Sequence, residues 1–232
     1  MIGEPRTHVP ECESTQAFLG PHDPEGAIAT TDHQTAGRGR LGRSWVEAPG
    51  TSVMVSVLLR PAAELRAQEL SLVAAVAVAL AVEDATGLSA QIKWPNDVLL
   101  ARRKVAGILA EAKEGVVVLG IGLNVNQTRE QLPLDAKVSP ASLRTIDGRV
   151  RDREEVLEVL LGRLDRSYEA WLAGSLDALY DDLGARNFLH GRRVTVDGVA
   201  GVAARIERDG RLRVEGEAGP LLVESGEVLF ER

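Results

Sequence analysis

A basic, glycine-rich segment stands out in an otherwise acidic chain. Residues 37–45 read Gly-Arg-Gly-Arg-Leu-Gly-Arg-Ser-Trp, whereas the 232-residue chain carries a formal net charge of −7. Glycine lets backbone N–H groups approach a ligand closely, and the planar guanidinium of arginine matches a phosphate or carboxylate. Trp45 adds a flat face that could stack on a base or pack in a core. We therefore expect an anion-binding loop, and a purely structural arginine loop is the alternative.

Two phosphate-binding patterns match this segment by their letters alone. Its glycines spell the dinucleotide fingerprint G-x-G-x-x-G, and with Arg43 and Ser44 they spell a P-loop that has arginine in place of lysine. Both patterns require a helix directly after the loop, so that phosphate lies at the helix N-terminus. Here residues 46–50 contain Pro-Gly and lead into a β-rich run at 51–59. The sequence thus excludes both folds and predicts a loop between two strands.

Three further segments place polar residues at the ends of predicted strands. Residues 93–97 read Lys-Trp-Pro-Asn-Asp, where Asn-Asp is either a functional pair or ordinary turn chemistry. Lys104 opens the next strand, in which Gly107 indicates close approach of a ligand or another backbone. The alternative for Lys104 is a solvated hairpin lysine. Residues 120–124 read Gly-Ile-Gly-Leu-Asn and repeat the theme of small residues followed by a polar end.

The elements that must position these residues alternate between strands and helices. Apolar periodicity predicts a short helix from Ser14 and a longer helix at 64–86, ending at Gly87. It also predicts a helical segment at 151–183, which Gly174 and Gly184 punctuate. The predicted strands are 27–33, 52–59, 91–94, 98–101, 105–113 and 116–125.

The last 45 or so residues have a different character. Short β-like runs follow each other after residue 191, and Asp-Gly pairs at 197–198 and 209–210 are strong hairpin signals. This pattern predicts a small barrel or sandwich, with a boundary near residues 185–190.

Composition excludes several classes of function. The net acidic charge argues against general nucleic-acid binding. Cys12 is the single cysteine, so no internal disulfide or cysteine metal cage can form, and a packing role is favoured over a catalytic one. The four histidines are scattered and lack zinc-ligand spacing. We see no secretory signal, and the apolar run at 70–82 suits a buried helix better than a membrane span. These features predict a cytoplasmic protein without a membrane partner.

Five segments in a fixed order give a more specific result. Together these segments resemble the biotin protein ligase family. They are Ser14-Thr15, then Gln-Thr-Ala with the Gly/Arg run, then Lys-Trp-Pro-Asn-Asp, Lys-Val-Ala-Gly-Ile-Leu and Gly-Ile-Gly-Leu-Asn. The resemblance implies an α+β fold. Its catalytic domain, at 1–185, would be class II synthetase-like, with a mixed β-sheet and flanking helices, and an SH3-like C-terminal domain would follow at 186–232. Because only about a dozen residues precede Ser14, we expect a short form that lacks the family's N-terminal DNA-binding domain and has no DNA partner.

The resemblance also implies a reaction and its residues. Biotin and ATP, with Mg²⁺, would form biotinyl-5′-AMP, and the biotinyl group would pass to a lysine of a biotin carboxyl carrier protein of acetyl-CoA or related carboxylases. The implied catalytic residues are Lys104 and Arg40. The implied biotin site comprises Ser14, Thr15, Gln34, Gly37, Arg38, Arg40, Lys104, Gly107, Ile108 and Gly120. The implied ATP site comprises Arg40, Arg43, Trp45, Asn96, Asp97 and Asn124, of which Asn96 and Asp97 would also hold Mg²⁺.

Two alternative functions stay open at this point. A lipoate or octanoate ligase shares the fold, although the Gly-Arg-Gly-Arg and Lys-Trp-Pro-Asn-Asp strings are of the biotin type. A non-catalytic adaptor built on the C-terminal domain is less favoured, because Phe230 is the one aromatic residue of the β tail that begins at residue 191, too little for a stacking platform. The C-terminal domain is instead expected to help close the nucleotide site or dock the carrier. The sequence leaves a homodimer open.

Overall fold

A seven-stranded mixed sheet forms the centre of the protein. The computed structural model describes residues 1–61, 67–133 and 138–230. Strands β1 to β7 are Arg6–Cys12, Ile28–Gln34, Ser52–Leu59, Ala90–Lys93, Asp97–Leu100, Arg103–Lys113 and Val116–Asn124. They pair in the order β1-β2-β3-β7-β6-β5-β4. Only the β1–β2 pair is parallel, and the hairpins from β3 onward pair antiparallel. The six predicted strands are confirmed within a few residues, and β1 is an additional edge strand.

Helices cover one face of this sheet. Helices α1 to α4 are Ala67–Thr86, Leu143–Asp147, Arg153–Gly174 and Tyr180–Arg186. Helix α1 is built largely of Ala, Val and Leu, so it is apolar on all sides and lies buried between the sheet and α3. It ends where Gly87 adopts a φ of +72° and donates to the Glu83 carbonyl. The first residues of the predicted helix, 64–66, lie outside the described residues.

The predicted helical segment at 151–183 is interrupted directly after Gly174. Asp152 caps α3 by accepting a hydrogen bond from Glu154 N at 2.8 Å. Helix α3 ends at Gly174, and Ser175 follows it with a positive φ of 55°, which no regular helix contains. A 3₁₀ turn at Ser175–Leu179 then leads into α4. The interruption expected at Gly174 is therefore confirmed, whereas Gly184 lies within α4 and does not interrupt it.

The two faces of the sheet bury different kinds of residues. Val53, Val55 and Val57 point towards α1 and α3 and belong to the main hydrophobic core. The alternate residues of the same strand point the other way, because side chains alternate along a strand. That second face has a small apolar cluster around Leu58 and Val118, and beyond it the polar side chains described below. The face without helices is therefore available for a ligand.

The C-terminal chain forms a second, antiparallel sheet. Strands β8 to β12 are Arg193–Val196, Val199–Ile206, Leu212–Gly216, Gly219–Val223 and Val228–Phe230, in the order β11-β10-β9-β8-β12. This sheet confirms the α+β prediction with a small C-terminal β unit, and β12 was not predicted. Trp94 joins the two sheets, because its fully buried indole donates from Nε1 to the Gly210 carbonyl at 2.9 Å. The division at residue 185 stays a prediction.

Among residues 1–61, 67–133 and 138–230, no helix is both long enough and apolar enough to cross a membrane.

Candidate active site

The open face of the sheet carries two neighbouring rows of cross-strand partners. Directly paired residues point to the same face. The first row runs from β3 to β4 and consists of Met54, Gly122, Gly107, Asp97 and Lys93. The second row consists of Ser56, Gly120 and Leu109. The middle of both rows is glycine, so a flat group can approach the backbone there. Asp97 and Lys93 stand at one end of the first row, and Ser56 stands at one end of the second.

Neutral polar groups cluster at the second row. Gln34, at the end of β2, accepts through Oε1 from Thr15 N at 2.9 Å and from Thr15 Oγ1 at 3.2 Å. Thr15 Oγ1 also lies 2.7 Å from Ser56 Oγ. Ser14, the N-cap of the 3₁₀ turn at Thr15–Phe18, makes no side-chain capping hydrogen bond. These side chains are buried and uncharged, which suits a polar ligand that carries no charge of its own.

Trp45 covers the glycines of the first row. A Cβ atom on Gly122 would lie 2.6 Å from Trp45 Cε2, and one on Gly107 would lie 2.9 Å from Trp45 Cζ3. Only glycine therefore lets the indole lie flat on these strands. Trp45 Nε1 is buried and has no hydrogen-bond partner within the described residues, so its donor is available to a ligand that enters the site.

A β-bulge directs Lys104 towards the same face. The β5–β6 register shifts between Val98 and Leu99, which leaves Val105 as an extra residue. Without the bulge, Lys104 and Gly107 would point to opposite faces. With it, Lys104 Nζ lies 2.5 Å from Asp97 Oδ1 and 5.6 Å from the centre of the Trp45 ring. The backbone of Lys104 is fixed by bonds to Ser139 and Ala141.

The Gly/Arg loop, residues 37–45, brings three guanidinium groups over the site. Arg38 pairs with Glu111 at 2.8 Å, and Arg40 donates to Asn96 Oδ1 at 3.3 Å. Burial lowers the pKa of Arg40, and the charge of Asp97 opposes that shift. The loop lies between β2 and β3 and contains a 3₁₀ turn at Arg40–Gly42 with no α-helix after it. The exclusion of both phosphate-loop folds is thus confirmed.

The C-terminal sheet reaches the same site. Arg43 pairs with Glu227 at 2.5 Å, just before β12. Lys93 lies at the end of the first row, with its Nζ 5.8 Å from the centre of the Phe230 ring. Desolvation by burial lowers the pKa of Lys93, and the nearby Asp97 charge counteracts it. The cationic end of the site is therefore built from both sheets.

Most of the predicted site residues line one inner cleft of about 130 Å³. It opens into an outer lobe of about 890 Å³ between Trp45, Lys104, Leu132 and Phe230. The predicted residues in the inner cleft are Ser14, Thr15, Gln34, Arg38, Arg40, Arg43, Trp45, Asn96, Asp97, Lys104, Gly107, Ile108 and Gly120.

Two predicted residues do not line the inner cleft. Gly37 lies at the base of the loop, where a Cβ would be 2.6 Å from the Trp45 carbonyl oxygen, so its glycine serves backbone approach. Asn124 lines the outer lobe, and its amide is bonded to Ala141 O at 3.0 Å and to Gln127 Nε2 at 2.8 Å.

Sequence reasoning did not assign several residues that the structure brings to the site. Gln16 bridges Leu109 O at 3.0 Å and Arg38 at 3.1 Å. Glu47 is buried under the loop and accepts from Gln34 N at 2.9 Å. Lys93 and Glu227 also line the inner cleft. Of these residues, only Lys93 had a sequence signal, because it belongs to the Lys-Trp-Pro-Asn-Asp string. The others reach the site through contacts between segments that are distant in sequence.

Metal ligands are sparse in this site. Within the described residues, no group of three or more His, Cys, Asp or Glu side chains is placed to hold a metal ion. Asn96 Oδ1 and the Asp97 carboxylate are oxygen donors on the cleft wall. Such a pair fits Mg²⁺ only when substrate phosphates complete its coordination, which is the usual way Mg²⁺ is bound.

This fold and site define the class of protein as a biotin/lipoate-type protein ligase. A family model described as "Biotin/lipoate A/B protein ligase family" matches residues 13–127. A biotin--[acetyl-CoA-carboxylase] ligase from Mycobacterium tuberculosis is 36% identical over 225 residues, covering 90% of this chain and 81% of that protein. The biotin protein ligase of Aquifex aeolicus in complex with biotin and ATP matches with a TM-score of 0.90 at 30% identity, over 99% of this chain and 100% of that one. The chain therefore belongs to the biotin/lipoate A/B protein ligase family, on its biotin protein ligase branch.

Longer relatives match over only part of their length. The bifunctional ligase/repressor BirA of Bacillus spizizenii is 34% identical over 88% of this chain, which spans 66% of that protein. The chain spans 48% of the Bacillus subtilis counterpart, at 40% identity over 155 residues.

Proposed function

We propose that this protein is an ATP-dependent ligase that activates biotin as biotinyl-5′-AMP and attaches it to a lysine of a biotin carboxyl carrier domain. Relatives from M. tuberculosis and Paracoccus denitrificans bear the name biotin--[acetyl-CoA-carboxylase] ligase. The single observation that carries the proposal is the inner cleft itself. It joins a neutral polar end to a cationic end across a glycine floor, under one basic loop.

The neutral end suits the head group of biotin. The ureido group carries N–H donors and a carbonyl acceptor without charge, and Ser14, Thr15 and Gln34 offer hydroxyl and amide groups that complement them. The rings would lie at Gly107 and Gly120, which have no Cβ to keep a ligand from the strand backbone. Trp45 lies over Gly107 and the end of Gln16 over Gly120, so both side chains would have to shift as the rings enter. The valeryl carboxylate then points along the sheet towards Lys104.

The first half-reaction brings two anions together. A carboxylate oxygen of biotin attacks the α-phosphorus of ATP, the bond from that phosphorus to the bridging oxygen breaks, and pyrophosphate leaves. Lys104 and Arg40 flank the place where the two anions would meet and offset their repulsion. Catalysis here consists mainly of positioning and charge stabilisation.

The second half-reaction needs no nucleophile from the enzyme. The ε-amine of the carrier lysine attacks the acyl carbon, the bond from that carbon to the phosphate oxygen breaks, and AMP leaves as the amine loses a proton. Trp45 offers a flat face for adenine, and Arg43 is near enough to hold the nucleotide. Closure of the Gly/Arg loop would keep water from the labile anhydride.

Asn96 and Asp97 would hold a Mg²⁺ ion that enters with ATP. When bound, that cation would neutralise part of the triphosphate charge. Asp97 already pairs with Lys104, so its first role is to orient this lysine towards the site.

Transfer of biotin to a carrier domain tests the proposal directly. Purified protein is incubated with biotin, MgATP and a biotin carboxyl carrier domain, and the product is detected by avidin blotting and intact mass. We expect a mass increase of one biotinyl group, and none with a carrier whose acceptor lysine is replaced by arginine. Absence of both labelling and biotin-dependent ATP–pyrophosphate exchange would contradict the proposal. Lipoate in place of biotin serves as the comparison, and a preference for lipoate would support the alternative ligase.

A further inference from the structure

The cations around the inner cleft differ in how they are bonded. Lys104 is paired with Asp97 at 2.5 Å, Arg38 with Glu111 at 2.8 Å, and Arg43 with Glu227 at 2.5 Å. Each of these groups already has a carboxylate that fixes its direction. An incoming anion must exchange with that carboxylate or share the cation with it.

Arg40 and Lys93 have no carboxylate partner within the described residues. Arg40 donates to the neutral Asn96 Oδ1 at 3.3 Å, whereas Lys93 lacks even such a bond. Lys93 is only 8% exposed, and its ammonium group has neither a hydrogen bond nor an ion pair within residues 1–61, 67–133 and 138–230. Its contact is with the Phe230 ring, at 5.8 Å. Burial of an ammonium group that has no bonded carboxylate costs free energy, and a bound anion would offset that cost. Lys93 lines both the inner cleft and the outer lobe.

The position of Lys93 in the first row indicates which part of a ligand it would meet. Gly107, Asp97 and Lys93 are successive cross-strand partners. Because neighbouring strands lie about 4.8 Å apart, Lys93 stands about 10 Å along the row from the glycine floor. Lys104 lies between these two places, beside Gly107 and Asp97. A nucleotide whose α-phosphate is near Lys104 would direct its remaining phosphates towards Lys93.

We propose that Lys93 is a phosphate-binding residue that holds the β- and γ-phosphates of ATP and then the departing pyrophosphate; this rests on the proposed function. The charged groups that face Lys93 are Asp97, Lys104, Glu227 and Arg43, two of each sign. Because Asp97 is bonded to Lys104 and Glu227 to Arg43, their charges largely cancel. The lysine charge is thus left for the anion. It stabilises the leaving group of the first half-reaction and has no part in the second.

The two half-reactions separate this role from a structural one. The variants are Lys93→Met, which keeps the apolar stem, Lys93→Arg, which keeps the charge, and Lys93→Gln as a second neutral variant. Lys113→Met removes an exposed lysine of β6 and is the matched control. Activation is measured as biotin-dependent ATP–pyrophosphate exchange, with ATP and pyrophosphate varied. Transfer is measured with synthetic biotinyl-5′-AMP and the carrier domain.

We expect Lys93→Met to raise the half-saturating concentrations of ATP and pyrophosphate by about 10- to 100-fold, the value of a lost hydrogen bond to a charged group. Transfer from biotinyl-5′-AMP should stay at the wild-type rate, and Lys93→Arg should recover most of the exchange. Equal losses in both half-reactions, in both neutral variants, would make Lys93 structural and overturn the proposal, as would unchanged exchange. If the wild-type protein shows neither exchange nor transfer, the proposed function itself fails.

Discussion

Gly122→Ala should displace the Gly/Arg loop from the sheet in the ligand-free protein. A Cβ atom on Gly122 would lie 2.6 Å from Trp45 Cε2 and 2.7 Å from Trp45 Cζ2, well inside van der Waals contact. The indole is rigid and cannot bend away, so the whole loop must move. Overpacking of this kind costs about 1–3 kcal/mol. That free energy shifts the equilibrium between packed and displaced loop by about 5- to 150-fold.

Limited trypsin digestion without ligands measures this shift. Arg38, Arg40 and Arg43 are the cleavage sites within the loop. When the loop opens and closes faster than trypsin cuts, the cleavage rate follows the population of the open loop. Loop cleavage in Gly122→Ala should therefore rise by the same factor, with the cut sites identified by mass spectrometry.

Two other glycines provide matched controls. Gly120 lies on the same strand and face, but a Cβ there would approach the end of the flexible Gln16 side chain, 3.0 Å from Nε2. Gly162, in α3, has no atom within 4 Å of such a Cβ. Alanine at position 162 should leave loop cleavage at the wild-type rate. Alanine at position 120 should raise it far less than alanine at 122, because it meets a flexible side chain whose link to the loop is one hydrogen bond to Arg38. If Gly122→Ala is cut no faster than these controls, the contact with Trp45 does not hold the loop and the reasoning is refuted.

Three further variants test other parts of the site. Arg40→Gly should release biotinyl-5′-AMP before transfer, so a bystander protein becomes biotinylated; labelling confined to the carrier domain would contradict this. Glu47→Ala leaves the buried Gln34 N–H without its 2.9 Å acceptor, which should lower the free energy of unfolding by about 1–3 kcal/mol. The melting temperature should then fall by about 2–12 °C, and by less in Glu47→Gln. Trp94→Phe removes the donor to Gly210 and should lower the urea midpoint without changing the m-value; an unchanged midpoint would show that this bond contributes nothing to joining the sheets.

Much of the fold could be predicted because its signals are local. The run at 52–59 was predicted to the residue, since an apolar strand needs no information beyond its own letters. The Asp-Gly pairs gave the hairpins of the C-terminal sheet for the same reason. Most residues of the proposed site also lie together in the inner cleft, because they occur at the ends of adjacent strands. Their roles stay predictions, as does the closure of the Gly/Arg loop over the ligand.

What the sequence did not reveal depends on distant contacts. Strand β1 is an exposed edge strand that contains Pro10, so it lacks the alternation that marks a half-buried strand. The bulge at Val105 depends on the register of two strands, and no single-strand pattern predicts it. Glu227 reaches Arg43 only because the second sheet packs beside the first. Helix α2 has five residues, which is too short for periodicity to identify.

The paired cations of the cleft explain how a site can be both ordered and ready to bind anions. Side chains of Arg38 and Arg43 are 50% and 51% exposed, and ion pairs at that exposure contribute about 0–1 kcal/mol. Glu111 and Glu227 can therefore hold these arginines in position and release them to a phosphate at little cost. Lys104 is less exposed, at 27%, and its carboxylate partner is at 14%, so this pair is more costly to separate. The outer cations are thus suited to exchange partners as nucleotide enters and leaves, whereas Lys104 and Asp97 are suited to stay together through both half-reactions.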